Sequence, residues 1–286
     1  MRAVTNQMGL FHPNASRAKF FGRCAVKHKM KNKTRSAQAV LRLNQQNAHS
    51  VSVLTETGNQ LMQQAEYKQA QECFQGALDL LILSKMTQDK RTAIAYYNLA
   101  RAHAALEAYE AAARNYRNAI EIRPRFPEAH NNLGMLLNQE EQFETAIEHF
   151  KIVVNVEPLS ASAQYGMGVA YQSLDDHSTA AVCYQRAITL KPDFFASWVN
   201  LGLICYQIGS ADVAVHCYNE AIGLSPGNAE LYFQLGMAYM MLKRFADASR
   251  AFTKVLELEP WHQEAKDALE EAMFFAIAEP EAPQPV

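Results

Sequence analysis

The feature that most constrains this fold is an internal repeat with an unbroken period of 34 residues. Five blocks, the first beginning at Ala93, carry a small residue at position 8, an aromatic residue at position 24 and a proline at position 32. The small residues are Ala100, Gly134, Gly168, Gly202 and Gly236. The aromatic residues are Tyr116, Phe150, Tyr184, Tyr218 and Phe252. The prolines are Pro124, Pro158, Pro192, Pro226 and Pro260. A fixed period of this length is typical of helical units that bury a core only against their neighbours.

Within each block the apolar residues recur with the helical period of 3.6 and not with the strand period of 2. The second block predicts a helix from Pro127 to Gln139, a turn at residues 140–142 and a second helix from Phe143 to Asn155. The closing proline ends the second helix because its ring cannot continue the backbone hydrogen-bonding pattern. The chain is therefore predicted to be all-α, a solenoid of stacked helix-turn-helix units.

The same positions divide the whole chain. A weaker copy of the pattern lies upstream, with Gly58 at position 8 and Phe74 at position 24 of a block that starts at Val51. The predicted repeats are 51–84 (degenerate), 93–126, 127–160, 161–194, 195–228 and 229–262. We expect the second helix of the first repeat to be lengthened and a longer loop to connect that repeat to the next one. After the last repeat we expect a helix with one polar side at 263–278 and a disordered proline-rich tail at 279–286.

Charge separates the N-terminal leader, residues 1–50, from the repeats. Residues 1–55 hold ten Lys or Arg residues and no Asp or Glu, whereas the rest of the chain carries a net charge of −12. Such a leader resembles an organelle transit segment, and it could also contact nucleic acid or an anionic membrane surface. A disordered basic tail and a translation start at Met30 remain open alternatives. Five cysteines without framework spacing favour a reducing compartment, so we expect a cytoplasmic protein unless the leader directs it to an organelle.

The repeated residues resemble the tetratricopeptide repeat family over about residues 51–278. The resemblance implies a right-handed superhelical solenoid whose first helices line a concave groove that holds peptide segments of partner proteins. In that arrangement positions 2, 5, 6, 9, 12 and 13 of each first helix, here called the groove positions, point into the groove.

Position 6 carries amides in four of the five blocks: Asn98, Asn132, Asn200 and Gln234, with Gly166 interrupting them. An amide both donates and accepts hydrogen bonds, so such a ladder could hold an extended backbone without selecting its side chains. It is similar to the asparagine ladder in the repeat region of O-linked N-acetylglucosamine transferase. The alternative is that these are ordinary solvated polar positions.

The remaining candidate peptide-binding residues are mostly apolar or aromatic, as binding hot spots often are. They are Tyr97, Arg101, Asn131, Met135, Tyr165, Leu203, Tyr206, Phe233 and Met237. The alternative is that some of them pack between neighbouring first helices, and that the C-terminal helix covers Met240 and Met241.

Other classes of site find little support in the sequence. The carboxylate clamp that binds acidic chaperone C-termini would need cations where Thr55, Glu128 and Asn132 stand. No phosphate-binding loop or nucleophile motif is present, and Cys73, Cys183 and Cys217 share position 23, where packing explains them. We therefore expect no enzymatic activity, cofactor, metal site or small-molecule substrate.

The main hypothesis is a monomeric, non-catalytic adaptor that binds a protein or peptide ligand in its groove. Two rival hypotheses remain. The chain could be the substrate-presenting module of a transferase system, or it could associate with nucleic acid or an anionic membrane through residues 1–50.

Overall fold

A computed structural model describes residue 46 and residues 49–278, and every regular element among these residues is an α-helix. The helices are α1 (49–63), α2 (Tyr67–Leu83), α3 (Lys90–Ala105), α4 (Tyr109–Ile122), α5 (Pro127–Gln139), α6 (Phe143–Val156), α7 (Ala161–Ser173), α8 (His177–Leu190), α9 (Phe195–Gln207), α10 (Ala211–Leu224), α11 (Ala229–Met241), α12 (Phe245–Leu258) and α13 (Gln263–Ala278). The all-α fold class is confirmed. The predicted tail and nearly all of the predicted leader lie outside the described residues, although residues 49 and 50 already belong to α1.

The chain divides into two compact units between Ala95 and Tyr96. In the first unit, the ring of Phe74 on α2 is fully buried and faces Gly58 on α1, where a Cβ atom would lie 2.6 Å from Phe74 Cε1. Helix α2 runs for 17 residues, whereas α4 runs for 14. The loop after α2 ends at Lys90, so α3 starts three residues before the 34-residue block does.

In the second unit, each helix from α4 to α13 packs against the next one along the chain. First helices also contact each other directly, α5 against α7 and α9 against α11. The first-helix side chains of successive hairpins therefore lie side by side, which is the arrangement that a groove along the first helices requires.

The position-24 ring fills the space that the position-8 residue leaves open within the same hairpin. A Cβ atom on the glycine would lie between 2.4 and 2.8 Å from the nearest ring carbon, closer than real Cβ atoms approach. These pairs are Gly134 with Phe150, Gly168 with Tyr184, Gly202 with Tyr218, and Gly236 with Phe252. Because the five rings from Tyr116 to Phe252 are at most 2% exposed, they form the centre of the second unit's core.

The turn inside each hairpin uses one residue in the left-handed backbone region, at position 15. In the α5–α6 turn, Glu141 has a φ of 58° and the N–H of Gln142 donates to the carbonyl of Leu137 at 2.8 Å. This 6→1 bond is the mark of a Schellman ending, which usually places glycine at the left-handed residue. Only one of the six position-15 residues is a glycine; they are Ala65, Glu107, Glu141, Asp175, Gly209 and Lys243.

A second repeated contact ties the start of one hairpin to the end of the hairpin before it. In three hairpins the side chain at position 4 bonds to the carbonyl of the preceding closing proline: Trp198 Nε1 donates to Pro192 O at 2.7 Å, and the Tyr232 hydroxyl donates to Pro226 O at 3.2 Å. His130 Nε2 makes the same contact with Pro124 O at 3.0 Å. The loop carbonyl between hairpins is thus satisfied by a side chain.

Helix α13 packs on α12 through buried Ala265 and Ala272. Glu270 and Glu271 are exposed, but the end of the helix also exposes large apolar side chains, namely Met273 (53%), Phe274 (67%) and Ile277 (83%). The polar side expected for this helix is therefore interrupted in its last turns.

The turn residues give a stability prediction. Replacing Glu141 with glycine should raise the free energy of unfolding by a few tenths to about 1 kcal/mol, because a left-handed non-glycine residue costs about 1–2 kcal/mol and glycine's extra chain entropy offsets only part of that gain. The urea midpoint followed by circular dichroism measures it. Glu140, with a φ of −85°, is the control, and Glu140→Gly should lower the midpoint. A loss of equal size at both positions would contradict the strain argument.

Candidate functional site

Two of the position-6 amides in the second unit, Asn132 and Asn200, are anchored to buried tyrosines. Asn132 Nδ2 donates to the Tyr116 hydroxyl at 3.2 Å, and Asn200 Nδ2 donates to the Tyr184 hydroxyl at 3.2 Å. In both cases the tyrosine is the position-24 residue of the preceding hairpin. Burial raises the pKa of Tyr116 to about 12, so the hydroxyl stays protonated and available as a partner. Both asparagines are half-buried, and one N–H of each is committed to this bond.

The interruption at Gly166 has a steric cause. The preceding position-24 residue is Phe150, which has no hydroxyl to bond, and its ring lies where a side chain at position 6 would begin. A Cβ atom on Gly166 would lie 2.3 Å from Phe150 Cζ. The ladder therefore carries asparagine where the ring in front of it is Tyr116 or Tyr184, and glycine where that ring is Phe150.

The two ends of the predicted ladder differ from its centre. Asn98 is 5% exposed and its Oδ1 accepts from Arg101 Nη1 at 3.5 Å. Gln234 Nε2 donates to Glu230 Oε1 at 2.6 Å rather than to Tyr218, the tyrosine of the preceding hairpin. The Tyr218 hydroxyl is buried and has no hydrogen-bond partner among the described residues.

The predicted aromatic residues at position 5 are half-buried, and each packs between two other aromatic rings. Tyr97 lies 5.0 Å from Phe126, centroid to centroid, and 5.9 Å from Tyr116. The same triangle recurs two hairpins later, with Tyr165 between Phe194 and Tyr184, and again with Phe233 between His262 and Phe252. Packing within the hairpin thus accounts for a large part of their surface.

The other predicted residues differ in how much surface they leave free. Met135 is 37% exposed, and Arg101 is half-buried with its guanidinium carbon 5.8 Å from the Tyr97 ring centroid. Leu203 is half-buried, and Tyr206 is half-buried against the core of the α9–α10 hairpin. Met237 packs, together with Met240, on a cluster that includes Ala272 of α13, whereas Met241, which the packing alternative also expected to be covered, is 45% exposed.

A small cavity of about 170 Å³ opens in the second unit near the starts of α5 and α7, beside Tyr97 of α3. Its lining includes Tyr97, Asn131 and Asn132, which were predicted peptide-binding residues, and Glu128, Glu157, Ser160 and Ser162, which were not. Ser160 and Glu157 belong to the loop after α6, so a pattern of first-helix positions could not find them.

The first unit holds a larger open cavity of about 610 Å³. It is lined by first-helix residues that include Thr55, Asn59 and Gln63, together with Arg91 and Ile94. Asn59 and Gln63 occupy groove positions 9 and 13 of the degenerate repeat, so the period could have found them, but no residue before Tyr97 was among the predicted site residues.

A histidine pair forms a separate polar cluster between α5 and α6. His130 Nδ1 and His149 Nδ1 lie 2.8 Å apart, and His130 Nε2 faces the carbonyl of Pro124 at 3.0 Å. Since a carbonyl only accepts, His130 carries its proton on Nε2 and donates it in the hydrogen bond to Pro124 O. Its Nδ1 is then the acceptor of a hydrogen bond from the Nδ1–H of His149. Burial, with His130 and Arg117 adding to it, lowers the pKa of His149 to about 4.

The described part of the chain also bears on three other features: a metal centre, a reactive cysteine and a membrane-spanning helix. Residue 46 and residues 49–278 contain no group of three or more His, Cys, Asp or Glu residues placed to hold a metal ion. Cys183, Cys205 and Cys217 are buried, and burial raises the pKa of each thiol. None of the described helices is long and apolar enough to cross a membrane.

Comparison with known families gives matches along most of the repeats. Models of the tetratricopeptide repeat match residues 51–125, 92–163, 161–194 and 229–260, and a further model, described as TPR repeat, matches residues 202–243. No curated protein sequence gives a significant match.

Solved structures with the same fold are numerous. A crystal structure of MamA is 28% identical, with a TM-score of 0.54, over 59% of this chain and 97% of that one. PilF from Pseudomonas aeruginosa is 16% identical, with a TM-score of 0.67, over 79% and 99%. YrrB, described as a TPR protein with an unusual peptide-binding site, is 21% identical, with a TM-score of 0.57, over 66% and 97%. These matches and the helix packing support the repeat solenoid that the period predicts.

The tyrosine–amide bonds lead to a paired prediction. Tyr184 also donates to Gln172 Oε1 at 2.7 Å, so Tyr184→Phe should lower the free energy of unfolding by about 1–3 kcal/mol, because two polar groups lose their partner. Tyr218→Phe removes a hydroxyl that has no partner among the described residues, and it should be neutral or stabilising. Urea unfolding of both variants measures the difference. Equal losses would contradict the assignment of the cost at Tyr184 to its two hydrogen bonds.

The histidine pair predicts acid sensitivity. Above pH 6.5 His149 is neutral in the folded and unfolded chains, whereas between pH 6.5 and about 4 only the unfolded chain takes up its proton, so stability falls as the pH drops through this window. Thermal unfolding from pH 8 to pH 4 measures the slope. His149→Gln should flatten it, and imidazole NMR titration reports the site itself. A slope unchanged in the variant, or an ordinary His149 titration, would contradict the prediction.

Proposed function

Because the chain belongs to the tetratricopeptide repeat family, we propose that it is a non-catalytic adaptor that holds a segment of a partner protein along the first helices of its second unit. The family and the similar structures support a protein-interaction scaffold, and YrrB supports peptide binding as a use of this fold. Beyond that scaffold role, we propose the site on the first helices and its occupant, an extended segment of a partner protein.

The observation that carries this proposal is the anchoring of Asn132 and Asn200. Each amide is fixed by a hydrogen bond to a buried tyrosine, and each remains partly exposed to solvent. A polar group that is already held in place loses little conformational entropy when it binds. An amide has two donors and an oxygen that can accept twice, so Asn200 keeps one N–H and its oxygen for the backbone of a bound segment. Asn132 Nδ2 also reaches the Tyr97 hydroxyl and its Oδ1 accepts from Asn131, so what remains there is the second acceptor site of the oxygen.

Apolar contact would come from residues that the hairpins leave partly free. Met135 is more than one third exposed, and Leu203 and Tyr206 on α9 are half-buried. A flexible methionine adapts to irregular partner shapes, and an aromatic ring with a polar end suits an interface. The more deeply packed Tyr97, Tyr165 and Phe233 would form the floor of the groove rather than its contact points.

In this proposal the similarity to the amide ladder of O-linked N-acetylglucosamine transferase is limited to two of the four amides. Asn132 and Asn200 are its two tyrosine-anchored members, while Asn98 is buried and Gln234 bonds to Glu230. The partner segment would therefore meet two fixed amides separated by the gap at Gly166, and not a continuous row of four.

A photo-crosslinking experiment tests the proposal without disturbing the anchored amides. Benzoylphenylalanine replaces Met135 on α5 in one variant and Val182, which is 50% exposed on α8, in the matched control. After irradiation in cells, the Met135 variant should give discrete protein adducts that the Val182 variant lacks, because only Met135 faces the groove. Mass spectrometry identifies the adducts, and circular dichroism confirms that both variants keep their helicity.

Two results would count against a first-helix groove. One is the same set of adducts at both positions, which would indicate contact by random collision. The other is a set of discrete adducts at Val182 alone, which would place the partner on the second helices.

A further inference from the structure

The small cavity of the second unit is lined by side chains that join into one hydrogen-bonded chain. Ser160 and Ser162 are linked through their hydroxyls at 3.2 Å, Ser162 Oγ donates to Asn131 Oδ1 at 3.1 Å, and Asn131 Nδ2 reaches Asn132 Oδ1 at 3.5 Å. Asn132 Nδ2 then reaches the Tyr97 hydroxyl at 3.5 Å. Three successive repeats therefore contribute to a single polar wall.

The lining of this cavity carries acidic residues and no basic ones. Glu128 and Glu157 line it, both are exposed, and none of its nine lining residues is basic. Arg101 approaches the Tyr97 ring and the Asn98 amide, but it is not part of the lining.

Acidic residues outnumber basic ones along the groove positions of the second unit. Among the described residues from Tyr96 onward, Arg101 is the single cation at these positions. The acids at these positions, counting α13 as the start of a further block, are Glu128, Glu230, Glu264, Asp267 and Glu271. A partner with basic side chains is therefore favoured along this face.

The nearest helix start does not reverse this preference. A helix N-terminus favours anions through its free N–H groups, and α7 begins beside the cavity. Ser160 Oγ already accepts from the N–H of Ala163, and α5 begins with Pro127, which has no N–H to offer. Glu128 itself provides an anion in the first turn of α5.

The volume limits the occupant to part of one side chain. At roughly 30 Å³ for each water molecule, a space of about 170 Å³ corresponds to five or six waters. An ammonium or guanidinium group has only donors, and carboxylate, amide and hydroxyl oxygens are the acceptors it needs.

We propose that this cavity is a subsite for the lysine or arginine side chain of the partner segment. The proposal rests on the function proposed above and adds a charge requirement to it. The cation would lie between the carboxylates of Glu128 and Glu157 and donate further hydrogen bonds to the oxygens of the serine hydroxyls. The neighbouring groove would hold the backbone of the segment.

The test uses the full-length protein and defined peptides, Ac-Ala-Ala-Xaa-Ala-Ala-NH2, in which Xaa is lysine, arginine, norleucine or glutamate. The side-chain amide resonances of Asn131 and Asn132 report binding directly by NMR. The lysine and arginine peptides should shift these signals saturably, and their affinity should fall as salt is raised. The norleucine and glutamate peptides should leave the signals unchanged.

Matched variants separate a local site from general attraction. Glu128→Gln with Glu157→Gln should weaken the lysine peptide at least tenfold. Glu121→Gln with Glu148→Gln removes the same charge from exposed second-helix positions outside the lining and should leave the affinity within a factor of two.

Either of two results overturns the proposal: equal binding of the norleucine peptide, or an equal loss in the control pair. If that occurs while benzoylphenylalanine at position 135 still captures its partners, the adaptor function stands and the basic subsite alone is rejected. Loss of both would reject the groove itself.

Discussion

The contact on which the second unit depends is the one between an aromatic ring at position 24 and the small residue at position 8 of the same hairpin. The ring is fully buried, and in four of the five hairpins it approaches the first helix so closely that even the Cβ atom of an alanine would overlap it. The two helices can cross at this distance only because one of them is bare at that point. Each hairpin is thereby fixed as a unit, and the next hairpin covers the outer edge of its ring.

The same ring determines part of the candidate site. Where it is Tyr116 or Tyr184, its hydroxyl reaches the first helix of the following hairpin and holds an asparagine. Where it is Phe150, the ring itself takes up the space and the following residue is Gly166. Core packing and the amides of the groove are therefore one arrangement, so a residue that looks like a ligand contact also has a structural partner.

In the proposed groove, the surface available to a partner is what packing within and between the hairpins leaves exposed. The position-5 aromatics are largely used by the triangles that they form with their own hairpins. What remains for a partner is a set of half-exposed side chains and a polar cavity with two carboxylates. The sequence had pointed to the groove but gave no reason to include Glu157 and Ser160, because both follow the second helix of their block.

The sequence by itself determined the helices and their order, because helix length and repeat period are local properties. They follow from residues such as Gly134, Phe150 and Pro158, whose equivalents recur every 34 residues. It did not reveal the left-handed turns, since Glu141 or Lys243 at such a position carries no glycine signal. Only the tertiary structure decided which amides are anchored and which three repeats line the cavity. These facts depend on the distance and direction between side chains 16 to 35 residues apart, which a one-dimensional pattern does not contain.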